Sequence, residues 1–379
     1  MEESKAEILE FLEHSCKGGD MGYVALTQFH FVLDEDGDPV PLHGQRGRLG
    51  LAELMEKLSE FWPDVVRSEE GEGGFIVAAG RPLSAVSLGH GGQLVVSLAP
   101  MLTMAEMEAE YRNVLFRVEQ VLDPAGYRLE AKGFHPRAAV EDIEPVPYAP
   151  YRELQEQLGA AALPLLLGTG RCRVGFQYAS EEDAVLKLRL ASLLGPVLAF
   201  MTENSPVFDA EANADPVLDM GLARAAAPGV GGTLPGLFSP GFGFEAYAAW
   251  LLEHGLADEH GTPLRELTQD VDLSNMVELA QADALPLEVL MGYLALLKGI
   301  FYSPTNLEML QIMLKLDRAG SYTDATVGEA MEALRAKGSD AVLYGRSVSA
   351  WVDLLFAMAG QVLGTEGSYL EALQEFKAF

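Results

Sequence analysis

The groups in this 379-residue chain that could do chemistry are few and scattered. The seven histidines are His14, His30, His43, His90, His135, His254 and His260. No two of them stand in an HxH or HExxH spacing, so no zinc or metalloprotease signature forms. His30 and His90 are expected to face one sheet interior, which would allow a metal or a proton shuttle. A hydrogen-bonded structural role is the blander assignment for each. The two cysteines, Cys16 and Cys172, lie far apart and form no CxxC pair. Cys172 sits on a predicted buried strand, where a thiol is inert. The acidic run Asp34-Glu35-Asp36-Gly37-Asp38 has calcium-loop residue types. It lacks the bidentate glutamate and the flanking helices of such a loop, so it reads as a solvated hairpin turn. Gly229-Val230-Gly231-Gly232 is not followed by Lys-Ser or Lys-Thr and makes no phosphate loop.

The elements that must position such groups follow from periodicity. A short helix is predicted at 6–13 and a strand over Tyr23 to Leu33. A helix is predicted from Leu49 to Trp62, then strands near 74–79, 85–88 and 93–97. Thr103 with Glu106 three residues on has capping-box spacing and opens a long helix. Its Met104, Met107, Tyr111, Val114, Leu115, Val118 and Leu122 recur at helical spacing and read as core. Residues 143–149 read as a proline-punctuated connection and 171–178 as a buried strand. Ser180 caps a helix whose first turn is Glu181-Glu182-Asp183. Residues 204–243 read as loop. Helices are predicted at 244–254, 286–301, 305–317, 326–336, 346–362 and 368–377. The whole is an α+β organisation in one domain, 1–379, strand-rich over 1–204 and helix-rich over 244–379.

Bulk properties exclude some function classes. Lys+Arg is 26 against Asp+Glu 56, a net charge of -30. Such a field repels nucleic acid and anionic membranes, and it opposes ATP unless cations screen it. The apolar run Leu190 to Met201 is expected to be too short to cross a bilayer. The acidic N-terminus is no signal peptide, and the cysteine usage suits a reducing cytoplasm.

Several short segments, in order, resemble the glutamate–cysteine ligase family of plant and bacterial type 2, ATP-dependent enzymes that make γ-glutamylcysteine. Ser87 to Ser97 resembles its LEPGGQLELS strand, with Gly89 and Val95 at the two glutamates. Phe29-His30-Phe31-Val32-Leu33-Asp34 resembles EHFVVD, with Thr27 and Phe29 at the preceding glutamates, or Ala25 and Thr27 in a register two residues earlier. Gly133-Phe134-His135-Pro136 matches a GF-x-P turn, and Asn204-Ser205-Pro206 an NSP. Cys172 to Tyr178 with Ser180 to Asp183 resembles VQVNLDY-SEED, with Arg173 for glutamine, Gly175 for asparagine and Gln177 for aspartate. Residues 273–305 resemble YIELR-x-x-D-x-x-P and ALIKGIFYS, keeping Glu278, Asp283 and Lys298 but with Ala280 for the arginine. Arg224 is the one clear candidate for the family's arginine-rich nucleotide segment.

The resemblance implies a glutamine-synthetase-like (carboxylate–amine ligase) fold, a curved, mainly antiparallel sheet with helices on its outer face. It implies Mg2+ and ATP as cofactors in active members, where carboxylates hold magnesium against the transferred phosphoryl group. Thr27, Phe29, Gly89, Val95 and Gln177 supply none of those carboxylates. The expectation is therefore an inactive or impaired paralogue with no cofactor and no metal, acting as a binding or regulatory module, ATP and Mg2+ belonging to the alternative below. Its expected partners are an active ligase homologue or itself, with a small amino-acid-like ligand. The alternative is an active ligase with relocated metal ligands. The pocket residues expected around a surviving cleft are Gln93, Ser97, Arg173, Gln177, Lys187 and Arg189. Arg173 would take the former metal position, or point outward after a register change. Lys187 and Arg189 would equally serve as surface charges balancing the Glu181–Asp183 cap.

Overall fold

Strand β1 (Val24–Leu33) shows how the sheet divides its two faces. Val24, Leu26, Gln28 and His30 are buried, while Ala25, Thr27 and Phe29 alternate with them half-exposed. A strand with period-2 side chains and one packed face gives that pattern. The computed structural model describes residues 2–18, 21–45, 47–69, 74–228, 231–257, 269–318 and 320–376.

Nine strands form the main sheet. Besides β1 they are β2 (Asp64–Ser68), β3 (Phe75–Arg81), β4 (Ser84–Leu88), β5 (Leu94–Met101), β6 (Arg128–Glu130) and β7 (Arg171–Phe176). A small hairpin, β8 (Val207–Phe208) with β9 (Glu211–Ala212), stands apart. The sheet is completed by β10 (Val271–Leu273) and β11 (Val277–Asp283). The order is β10-β11-β7-β1-β5-β4-β3-β2, with β6 pairing β1, and every ladder is antiparallel. A second small hairpin joins β12 (Val342–Leu343) and β13 (Arg346–Ser347).

The helices are α1 (Glu2–His14), α2 (Leu51–Leu58), α3 (Met104–Leu122), α4 (Ala149–Leu158), α5 (Glu181–Thr202) and α6 (Leu218–Ala226). They continue with α7 (Phe244–His254), α8 (Leu287–Phe301), α9 (Pro304–Met313), α10 (Thr326–Lys337), α11 (Val348–Val362) and α12 (Leu370–Phe376). The fold is α+β, as expected. One contiguous apolar core runs from Ile8 to Leu373 and joins the strand-rich and helix-rich halves.

The local signals work where their partners are short-range. Thr103 Oγ1 accepts from Glu106 N at 3.2 Å, and Glu106 Oε2 accepts from Thr103 N at 3.1 Å. Ser180 Oγ accepts from Asp183 N at 3.3 Å and starts α5. Each cap contributes about 1 kcal/mol. Asp34 Oδ1 accepts from Asp36 N and Asp38 N at 2.9 and 3.0 Å, the Asx turn that makes this acidic run a hairpin end.

Three expectations need correction. The apolar run at 190–201 belongs to a 22-residue helix, α5, long and apolar enough by length and composition to cross a membrane. It carries Pro196 in its interior, and 89% of its apolar window is buried in this protein. A helix apolar all round needs neighbours all round, and α5 packs on β10, β11, α6, α9, α10 and α11. The loop at 204–243 contains α6, whose flanking Pro and Gly residues conceal it in the sequence, and α4 starts at the last residue of the 143–149 connection, in a stretch given no element from the sequence. Strands β10 and β11 carry the sheet into the helix-rich half. Asp270, Asp272 and Asp283 interrupt their apolar pattern, and all three are buried.

Candidate functional site

The half-exposed face of β1 and its neighbours builds a cavity of about 250 Å³. Register sets its floor. Thr27 lies between Arg173 on β7 and Ser97 on β5, and Ser97 lies opposite Ala85 on β4. The hydroxyls of Thr27 and Ser97 meet at 3.1 Å. One row along, Gly175 has Ala25 on one side and Glu278 on the other. Arg173, Glu278 and Asn275 line the walls, and Pro82, Leu83 and Pro100 stand at the edge. Arg81 also lines it, but its guanidinium is held by Glu110 at 2.5 Å and by Ser84 Oγ at 3.0 Å. Among the expected pocket residues, Ser97 and Arg173 are the two that line this cavity.

The others belong to the scaffold. Gln93 is buried, and its amide donates to Leu167 O at 2.9 Å and Thr169 O at 3.1 Å. Its Oε1 accepts from Gly91 N at 2.9 Å. A Cβ on Gly91 would sit 2.2 Å from Leu167 O, so the Gly-Gly-Gln turn clasps the 164–168 turn through backbone contact. Gln177 donates its N–H to Tyr302 Oη at 2.8 Å and accepts from Tyr23 N at 3.2 Å. Lys187 is buried; its Nζ donates to Gln177 O at 2.8 Å and Asp183 Oδ2 at 2.9 Å, 5.2 Å from the Tyr302 ring centre. Burial lowers its pKa, against the pull of Asp183. Arg189 donates to Leu237 O and Ser239 O at 2.9 and 2.8 Å and pins that loop. Neither Lys187 nor Arg189 lines the cavity on the β1 face; Lys187 balances the acidic first turn of α5 through Asp183, though from a buried position, and Arg189 borders a separate surface pocket with Phe238 and Tyr322. Sequence spacing carries no signal for the carbonyls that captured them.

The positions expected to hold carboxylates divide. Thr27, Phe29 and Val95 share one sheet face, with Phe29 directly opposite Val95. Gly89 lies at the β4–β5 turn, its N–H donating to Gln93 O at 2.7 Å. A Cβ there would come within 2.6 Å of Gln93 Oε1. Gln177 is occupied beside Tyr23 and Tyr302. Among the described residues, no three His, Cys, Asp or Glu side chains are placed to hold one metal ion. Magnesium requires several hard oxygen ligands in octahedral array. One hydroxyl, two hydrocarbon side chains and the single carboxylate Glu278 do not fit it.

His30 and His90 do not meet. His30 lies in the core, its Nε2 2.8 Å from Tyr111 Oη and its Nδ1 3.3 Å from Leu94 O. His90 stacks on Tyr151 with ring centres 3.9 Å apart. Burial pushes both pKa values down to about 4. Cys172 is fully buried, and burial pushes its thiol pKa well up.

A second polar cluster, not anticipated, lies at the other end of β7 and β11. Arg171 pairs with Asp219 on α6 at 2.7 Å, and Arg224 grips Asp270 with two nitrogens at 3.0 and 2.5 Å. Arg224, the nucleotide candidate, is therefore engaged by a buried carboxylate. Asp283 Oδ2 accepts from Asn204 N at 2.6 Å and Ser205 Oγ at 2.7 Å. Burial raises the pKa of Asp283 to about 7, despite those donors and assisted by the nearby charge of Asp219. Burial likewise raises Asp219 and Asp270, against their arginines.

The comparisons with known proteins agree on family and fold. The family described as glutamate-cysteine ligase family 2 matches residues 31–351. A chloroplastic glutamate–cysteine ligase of Nicotiana tabacum is 26% identical over 66% of this chain and 47% of its own length. That of Brassica juncea is 28% identical, with coverages of 66% and 48%. The chain spans about half the length of these curated relatives. A crystal structure of glutamate–cysteine ligase from Francisella tularensis, in complex with AMP, aligns with a TM-score of 0.50 and 10% identity. It covers 95% of this chain and 82% of that one, a likeness of fold.

Proposed function

This chain belongs to glutamate-cysteine ligase family 2, and within that family we propose that it is a non-catalytic member, a binding or regulatory module rather than a working ligase. The observation that carries this reading is the shared face of Thr27, Phe29 and Val95, where the resemblance puts carboxylates and this chain puts a hydroxyl and two hydrocarbons. Phosphoryl transfer between a nucleotide and a carboxylate depends on cations that bridge and neutralise the developing charge. The cavity lining offers one carboxylate, Glu278, and magnesium needs several hard oxygen ligands to be held at one point.

Two further observations support it. Gly89 cannot simply be returned to glutamate while Gln93 keeps its clasp, and Arg224 is bound by Asp270. The partner in this proposal is an active ligase homologue or a second copy of the chain, and the ligand is small. The free thiols Cys16 and Cys172 suit a cytoplasmic setting. The test is calorimetry with magnesium-ATP, together with phosphate release in the presence of glutamate and cysteine. No nucleotide binding and no phosphate release is the expected result. Micromolar magnesium-ATP binding with phosphate release dependent on both amino acids overturns the proposal and restores the active-ligase reading.

A further inference from the structure

We infer that the pocket beside Arg189 binds a small phosphate dianion, as the free ion or a phosphomonoester, between the guanidiniums of Arg189 and Arg318. It shares no lining residue with the cavity on the β1 face, so it stands whether or not the non-catalytic reading holds.

The argument begins with a charge that lacks its opposite. Arg189 is half-buried on α5, and its Nε and Nη2 donate to the carbonyls of Leu237 and Ser239. Carbonyls satisfy hydrogen bonds without neutralising a cation, and the Nη1 end has no partner among the described residues. No carboxylate among them pairs with Arg189 either, and burial acts alone on its pKa, downward. Arg171, Arg224 and Arg335 show the other arrangement, each guanidinium held by an aspartate. An unpaired charge withdrawn from water costs free energy, and a bound anion offsets that cost.

A second cation stands beside the first. After α9 the chain turns back through Lys315 and Gly320, both at positive φ, and brings Arg318 and Tyr322 against the 236–240 loop. Gly236 N donates to Asp324 Oδ2 at 2.8 Å and joins the two segments. Arg318 is exposed, and among the described residues its guanidinium makes no hydrogen bond or ion pair. Phe238 and Tyr322, with ring centres 5.8 Å apart, form an apolar wall. Asp317 also borders the pocket, so the lining sets two guanidiniums against one carboxylate and stays positive. Two forks that each present parallel N–H groups suit a phosphate dianion better than a singly charged carboxylate.

Size narrows the class. The pocket is about 180 Å³, below the roughly 300–1,000 Å³ of sites for drug-sized ligands. It accommodates a phosphoryl group with a small substituent and is too small for a nucleotide. The affinity expected is modest, about 0.1–1 mM.

The probes are inorganic phosphate and phenyl phosphate, with acetate as the singly charged anion. They are titrated calorimetrically above the second phosphate pKa of about 6, with ionic strength held constant by potassium chloride. At least one phosphate is expected to bind below about 1 mM and about tenfold more tightly than acetate. Tighter binding of phenyl phosphate assigns a monoester resting on Phe238 and Tyr322; tighter binding of inorganic phosphate assigns the free ion. Arg318→Gln is expected to weaken binding about tenfold at an unchanged melting temperature, because the side chain holds nothing else. Arg189→Lys keeps the charge but loses the fork and is expected to weaken it as much; if that variant fails to fold, Arg318→Gln decides alone. Arg67→Gln, on β2 at the opposite edge of the sheet from β10, is expected to leave the affinity within about twofold. Three results overturn the inference: no phosphate bound below about 1 mM, acetate bound as tightly as phosphate, or unchanged affinity in Arg318→Gln. An equal loss in Arg67→Gln also overturns it, since that is the behaviour of an adventitious ion only.

Discussion

Replacing Gln93 with alanine tests whether the Gly-Gly-Gln segment is scaffold or site. The side chain is buried and closes three contacts under 3.2 Å: to Leu167 O, to Thr169 O and from Gly91 N. Truncation leaves two carbonyls and one amide without their partner in a region tight enough that Gly91 lies against Leu167 backbone. An orphaned buried polar group costs about 1–3 kcal/mol. Partial rescue by water entering the vacated volume brings the expected total to about 3–4 kcal/mol. Gln93→Met keeps most of the volume but none of the hydrogen bonds, and is expected to cost nearly as much. The assay is urea unfolding followed by circular dichroism, comparing midpoints at constant slope. A loss under about 1 kcal/mol would falsify the scaffold assignment.

Other substitutions separate structure from site in the same way. Asp283 has a folded-state pKa near 7 against an ordinary 3.8. The native state therefore holds its proton more tightly, and stability from this group is lost as pH rises from about 4 through 7, by on the order of 4 kcal/mol. Asp283→Asn, with its carbonyl oxygen placed to accept from Asn204 N and Ser205 Oγ, is expected to flatten the unfolding midpoint between pH 5 and 8; a variant that tracks the parent sinks the assignment. Lys187→Met strands Gln177 O and releases Asp183, at a cost of about 2–3 kcal/mol. A thermal melt reads the effect, and a parent-like midpoint contradicts the placement of Lys187. Gly89→Glu must displace Gln93 Oε1, 2.6 Å from the new Cβ. It is expected to destabilise by about 2 kcal/mol without conferring magnesium-dependent ATP turnover; turnover in a phosphate-release assay would refute this.

What was legible in the sequence was whatever rests on short-range chemistry. The Thr103–Glu106 box, the Ser180 cap, the Asp34 turn and the aromatic and β-branched run of β1 each rest on residues within a few positions of one another, so local sequence reveals them. The ordered motifs were legible as well, because glycines and prolines mark turns that any chain with this fold must make. Where a long side chain goes was not legible. Lys187, Arg189 and Gln177 have pocket-like chemistry, and in three dimensions the captors of the two cations are main-chain carbonyls and Asp183. The pairing of Arg171 with Asp219 and of Arg224 with Asp270 spans 48 and 46 residues. Nothing in the local pattern announces it.

That division bears on how the family's reaction would be lost while its fold stays. Gln93, Gly91 and the Asn204–Ser205–Asp283 knot hold backbone to backbone, and removing any of them leaves buried donors or acceptors without partners. Such a change costs folding free energy in any chain of this architecture. Thr27, Phe29 and Val95 stand on the face that does not pack against the core, and Thr27 and Phe29 are half-exposed. Exchange of a carboxylate for a hydroxyl or hydrocarbon at such positions removes like-charge repulsion between acids on neighbouring strands and leaves no donor unpaired. Loss of metal ligands is therefore close to neutral for stability, whereas loss of the clasp is not. The one basic exception, Arg173, sits on that same face. Arg173 holds a contact within the chain, so its place on this face is accounted for by the fold as the clasp is.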